Sequence, residues 1–193
     1  MCARPIQVRE SSVEDVLALF PQVMAQLLGI NTQLSLIGRQ MVLPSGKLDL
    51  LFLGGKELFL IELKVEDYRQ GFLNQVQRYW IDLQNLQAAE QLIQGQINPF
   101  LLCPYASPSA FSQCQTAGVK LQIYAPDEIL TNFLNRISSL SNLLRLRPMD
   151  YGVWNIHLIN RVLYSLDGGS TSASLSSQLG LSGLDPVWWT PDD

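Results

Sequence analysis

No stretch of this sequence stays apolar for the 18 or so residues that a membrane span requires. Lys, Asp, Glu or Gln interrupts each candidate. The opening "MCARPIQVRE" has no apolar core of the kind a signal peptide carries, so the expected location is the cytoplasm. Histidine is nearly absent, with His157 alone, and no Cys or second His stands at ligand spacing from it. That spacing speaks against a zinc site, and His157 reads as a structural or surface residue more readily than a catalytic one. The three cysteines, Cys2, Cys103 and Cys114, form no CxxC pair and fall one short of a four-thiolate iron–sulfur site. They read as free thiols in packing or surface positions.

Positive charge is also scarce. Thirteen Lys and Arg against 17 Asp and Glu leave a net charge of −4. A broad, sequence-independent grip on nucleic acid normally shows as a basic stripe, and none is visible. A local basic cleft remains compatible with this balance, and a site built of acids to hold a metal lowers the net charge by itself. What is abundant is apolar residues, 47% of 193, with only 16% charged. That composition describes a globular chain long enough to bury a sizeable core.

Periodicity divides the chain into alternating elements. "SSVEDVLALFPQVMAQLLGI" (11–30) opens with a serine cap and repeats apolar residues at helical spacing, with Pro21 placed to kink or split it. A loosely alternating strand (32–43) follows, then a hairpin of strands 47–53 and 56–64. Residues 68–94 read as a long amphipathic helix, 98–105 as a buried strand and 107–118 as a helix. A strand at 119–125 and a helix from Pro126 to 146 complete the series. The fold class is α/β with a mixed sheet, because the hairpin is antiparallel while helices separate the later strands. Residues 1–148 form the main domain, and 149–193 read as a small C-terminal appendage rich in Ser and Gly. The tail "INRVLYSLDGGSTSASLSSQLGLSG" faintly resembles the start of a winged helix-turn-helix. Pro186, Trp188 and Trp189 then occupy the place of a recognition helix, which favours a packing or homodimer-forming role.

The hairpin "GKLDLLFLGGKELFLIELK" (46–64) carries charges that do not belong in an apolar ribbon. Burying an ionised carboxylate costs several kcal/mol unless a partner compensates. With Gly54 and Gly55 as the two-residue loop, Leu53 faces Lys56 and Asp49 lies diagonal to Glu62, about 7 Å away. Side chains alternate along a strand, so Asp49, Glu62 and Lys64 share one face. Leu48, Leu50, Phe52, Phe59, Ile61 and Leu63 share the other, which is expected to be the core side. Two acids able to share an oxygen-loving Mg²⁺ beside one lysine suit phosphodiester hydrolysis. Their mutual repulsion is expected to raise the apparent pKa of the pair. An ordinary ion pair at a strand end explains the same three residues without any chemistry.

Asp, a dozen residues, then Glu-x-Lys at the end of an apolar strand resembles the PD-(D/E)xK nuclease superfamily, here as Asp49 and Glu62-Leu63-Lys64. Leu48 stands where the motif name has proline. Gly46 resembles the G-x-x-D start of the NucS-like and RecB-like branches. Gln75 and Tyr79 resemble their Q-x-x-x-Y element, and Glu14 the acid that many members supply as a further metal ligand. The resemblance spans about residues 10–130. It implies a restriction endonuclease-like αβββαβ sandwich that acts as a Mg²⁺-dependent DNA endonuclease, with Mn²⁺ as substitute. Glu14, Asp49 and Glu62 would be the metal ligands, Lys64 the catalytic lysine, and Gln75 and Tyr79 support for the site. Plainer readings stand beside these. Glu14 completes a capping box with Ser11, Gln75 and Tyr79 form a polar i,i+4 pair, and Arg69 and Arg78 lie on a solvated helix face. The rival functions are a non-catalytic module of the same fold, binding nucleic acid or protein, and a metal-free scaffold.

Overall fold

The computed structural model describes residues 8–133. The C-terminal appendage and His157 lie outside the described residues. The chain divides into two compact units, one comprising Met1–Val16 with Pro126–Asp193 and the other Leu17–Ala125. In the first unit, Val13, Val16, Leu130 and Phe133 are buried, and residues 126–133 are helical behind Pro126. In the second unit lie the sheet and the helices that cover it.

Along the chain the elements are α1 (Glu10–Leu19), α2 (Pro21–Leu28), β1 (Leu34–Leu43), β2 (Gly46–Gly54) and β3 (Glu57–Leu63). They continue as α3 (Gln70–Ala88), β4 (Ile97–Cys103), α4 (Pro108–Thr116) and β5 (Lys120–Ile123). Pro21 starts a new helix, because its ring fits a first turn and not a helix interior. The expected serine cap is displaced. The first helical bond runs from the Val13 N–H to the Arg9 carbonyl, which puts Arg9 at the cap and Ser11 inside the first turn. Ser11 and Glu14 therefore do not form the anticipated capping box. α3 ends at Ala88, short of the expected 94. Glu90 takes a left-handed conformation (φ 57°) that closes the helix, and the Gln87 amide donates to the Ile93 and Gly95 carbonyls of the returning chain.

The five strands lie in the order β1-β2-β3-β4-β5. β1, β2 and β3 pair antiparallel, and β3, β4 and β5 pair parallel, so the sheet is mixed as expected. Each parallel crossover needs a helix, and α3 and α4 supply them. The hairpin loop differs from the expected one by a single residue on each side. Gly54 pairs with Glu57 and Leu53 with Leu58, leaving Gly55 and Lys56 as the turn. Gly55 carries the positive φ (63°) at the first loop position. Gly54 stays in the strand for another reason. A Cβ there would lie 2.8 Å from Leu34 and 2.9 Å from Phe59, so its place is set by close packing.

Both faces of the hairpin are buried, which corrects the expectation of a single core side. Leu50, Phe52 and Ile61 are fully covered, and so are Leu51, Leu58 and Leu60 on the face that carries the charges. The latter pack with Leu73, Val76, Tyr79 and Leu83, the apolar stripe of α3. Central strands that are covered on both faces read as continuous apolar runs instead of alternating ones, and β2 and β3 read that way. At about 1.5–3 kcal/mol for each large apolar side chain, this layer gives the charged residues a rigid surround.

Candidate active site

Asp49, Glu62 and Lys64 meet at the end of the hairpin. The β2–β3 register runs to Leu50↔Ile61, and one further step brings Asp49 level with Glu62, closer than the diagonal anticipated. The Lys64 Nζ lies 2.8 Å from Glu62 Oε1 and 4.0 Å from Asp49 Oδ2. All three are buried, with Glu62 at 0%, Asp49 at 6% and Lys64 at 9% exposure. Lys64 begins the segment after β3, and its backbone is clamped twice. Its N–H donates to the Leu102 carbonyl (2.8 Å), and its carbonyl accepts from the Tyr124 hydroxyl (2.9 Å). The ammonium also stands 5.6 Å from the centre of the Phe72 ring.

Asp49 is held on both oxygens. Oδ2 accepts from the Leu63 N–H at 2.9 Å, and Oδ1 accepts from the Gln40 side-chain amide at 3.2 Å. Burial pushes its pKa above the ordinary carboxylate value, while Lys64, these two donors and a hydrogen bond with Glu62 pull it back. The direction agrees with the sequence expectation and the cause does not. Desolvation raises the Asp49 pKa, and the Glu62 contact lowers it.

The resembling elements on α3 and at the start of β2 meet in space. The Gln75 amide donates to the Tyr79 hydroxyl at 2.9 Å, and that hydroxyl lies against Gly46. A Cβ on Gly46 would stand 2.7 Å from the Tyr79 oxygen, and φ there is 143°, a conformation nearly confined to glycine. One turn further along α3, Asp82 accepts from the Ser45 N–H at 2.9 Å. Gln75, Tyr79 and Asp82 thus pin the entry to β2, three residues before Asp49. Gly46→Ala is expected to lower stability by about 1–3 kcal/mol, the cost of a non-glycine residue in such backbone. Urea denaturation checks this, and a wild-type midpoint would show that Tyr79 yields freely.

Sequence reasoning missed Asp82 and Gln40. Asp82 left a signal, an acid on the apolar stripe of an amphipathic helix. Gln40 left none, since a glutamine on a loosely alternating strand is unremarked. Glu14 is on α1 and buried at 3% exposure, and it belongs to the first unit. Arg69 and Arg78 are exposed, and Arg69 is paired with Glu66. Cys103 and Cys114 are buried, and burial pushes the Cys103 thiol up to about 11, as befits packing residues.

Among the described residues, no three His, Cys, Asp or Glu side chains form a group able to hold a metal, and the hairpin contributes two. Two carboxylates still suit Mg²⁺, which binds one or two and completes its shell with water and substrate phosphate. Among the described residues, no helix is long and apolar enough to cross a membrane.

No family model matches the chain, and no curated protein does. Solved structures do. An EndoMS-dsDNA2 complex superposes at a TM-score of 0.50 and 14% identity, over 64% of this chain and 47% of that one. A repair endonuclease from Pyrococcus abyssi superposes at 0.47 and 15% identity, over 64% and 50%. EndoMS in apo form gives 0.46 and 14%, over 64% and 49%. The chain spans about half the length of the structures it matches. The element order, the mixed sheet and the superposition on the EndoMS complex agree, and the chain has a restriction-endonuclease-like α/β fold.

Proposed function

We propose that this protein is a Mg²⁺-dependent DNA endonuclease whose active site is the hairpin cluster. The observation that carries this reading is the meeting of Asp49, Glu62 and Lys64, with the ammonium 2.8 Å and 4.0 Å from the two carboxylates. Such a trio is costly to bury, and its residue types are those that phosphodiester hydrolysis uses.

Asp49 and Glu62 would hold the ion. A bound Mg²⁺ would polarise the phosphate and lower the pKa of a coordinated water. Lys64 orients the attacking water and stabilises the negative charge that grows on the phosphate oxygens. Hydrolysis adds water across the ester. The attacking oxygen bonds to phosphorus and gives up a proton to solvent, the opposite P–O bond breaks, and the leaving oxygen takes up a proton from solvent. Gln75, Tyr79 and Gly46 keep the start of β2 in place and so fix Asp49. DNA is the proposed substrate because a neighbour of the same fold is a complex with dsDNA. Arg69, whose guanidinium lies 6.0 Å from the centre of the Phe72 ring that Lys64 also approaches, is a candidate phosphate contact.

The test is a cleavage panel of single-stranded, duplex, branched and mismatched DNA with Mg²⁺ or Mn²⁺. Cleavage of at least one substrate is expected, abolished by chelator. The acidic balance, −4 overall, favours a second reading as a non-catalytic module of the same fold. Binding without cleavage across the whole panel would establish that reading instead.

A further inference from the structure

Gln40 is the residue on β1 that reaches the site. Pairing between β1 and β2 runs Gly38↔Leu51, Arg39↔Leu50 and then Met41↔Leu48, which sets Gln40 beside Asp49. Its φ is 46°, in the left-handed region. Among the described residues, Glu90 is the other non-glycine with positive φ, and there the conformation closes a helix. Gln40 lies inside a strand, where no helix end calls for it. Backbone of this kind in a non-glycine residue persists only when its surroundings repay it. The visible return is the hydrogen bond that Nε2 donates to Asp49 Oδ1 at 3.2 Å.

We propose that Gln40 is a positioning residue for the metal-binding carboxylate of Asp49, an inference that rests on the function proposed above. Held by Gln40 on Oδ1 and by the Leu63 N–H on Oδ2, the carboxylate has its plane set from two strands at once. Partners of this kind orient a ligand and tune its affinity. A neutral amide suits the task. It donates to the ionised carboxylate without a charge, where a lysine would compete with the cation and a carboxylate would repel Asp49. The left-handed backbone is the device that aims the amide.

The test measures Mn²⁺ affinity by titration calorimetry in the wild type, Asp49→Asn, Gln40→Gly and Gln40→Asn. Glycine removes the amide and accepts the backbone freely. Asparagine also tolerates left-handed backbone but is one methylene shorter. Both Gln40 variants are expected to stay folded and to bind Mn²⁺ about tenfold more weakly or worse. At subsaturating Mg²⁺ their cleavage should fall, and raising the metal concentration should restore most of it with DNA affinity unchanged. If Asp49→Asn abolishes binding while both Gln40 variants match the wild type, the positioning role is overturned and the function stands. If the wild type binds no Mn²⁺, the proposed function falls and takes this role with it.

Discussion

Lys64→Ala is expected to lower DNA cleavage by roughly a hundredfold or more, the size of effect seen when one donor to a developing oxyanion is lost. DNA affinity should change far less, because one phosphate contact among several is a small part of the grip. The asymmetry follows from where the lysine acts. An ammonium that meets full charge only as the phosphodiester is attacked contributes to the transition state and little to the ground state. The structure adds a second consequence. A lysine at a strand end can extend its head into water and matter little to the fold, but Lys64 is 9% exposed and stands 2.8 Å from Glu62. Removing it takes a partner from a buried carboxylate, a change that costs up to about 3–5 kcal/mol. Rates must therefore be compared at a temperature where circular dichroism shows the variant folded. If wild-type protein binds DNA without cutting any substrate, and Lys64→Ala weakens that binding, the cluster is a phosphate clamp.

The double substitution Asp49→Asn with Glu62→Gln should abolish both cleavage and stabilisation by metal. Millimolar Mg²⁺ or Mn²⁺ should raise the thermal midpoint of the wild type, since an ion at a hundred times its Kd adds about 2.7 kcal/mol. The double variant should show no rise, and an equal rise would mean that the ion binds elsewhere. The pH dependence has a definite sign. Burial raises the Asp49 pKa above its ordinary 3.8, so the folded protein holds that proton more tightly than the unfolded chain. Ionising Asp49 then costs stability, a cost absent below 3.8 and complete only above the raised value. Without metal, the midpoint of Asp49→Asn relative to wild type should therefore climb as pH rises from about 4 toward neutrality. A difference that is flat with pH would show that the Asp49 pKa is not raised in the folded protein.

By itself the sequence determined the common face of Asp49, Glu62 and Lys64, because strand side chains alternate with period two. That conclusion survived an incorrect turn. Moving the loop from Gly54-Gly55 to Gly55-Lys56 shifts the register by two and leaves every residue on its face. The element order was legible for a similar reason, since helical and strand periods are local properties of the chain. Tertiary structure alone decided what long-range packing controls. Gly54 belongs to the strand because Leu34 and Phe59 crowd it, and both hairpin faces are buried because α3 covers the one that carries the charges. Gln75 and Tyr79 acquire a shared role only where the Tyr79 hydroxyl meets Gly46, more than thirty positions earlier in the chain. Gln40 turns left-handed toward Asp49 across a strand pair whose register contains a shift. No local pattern encodes such a contact, because its energy is shared between segments that come together only when the sheet has formed.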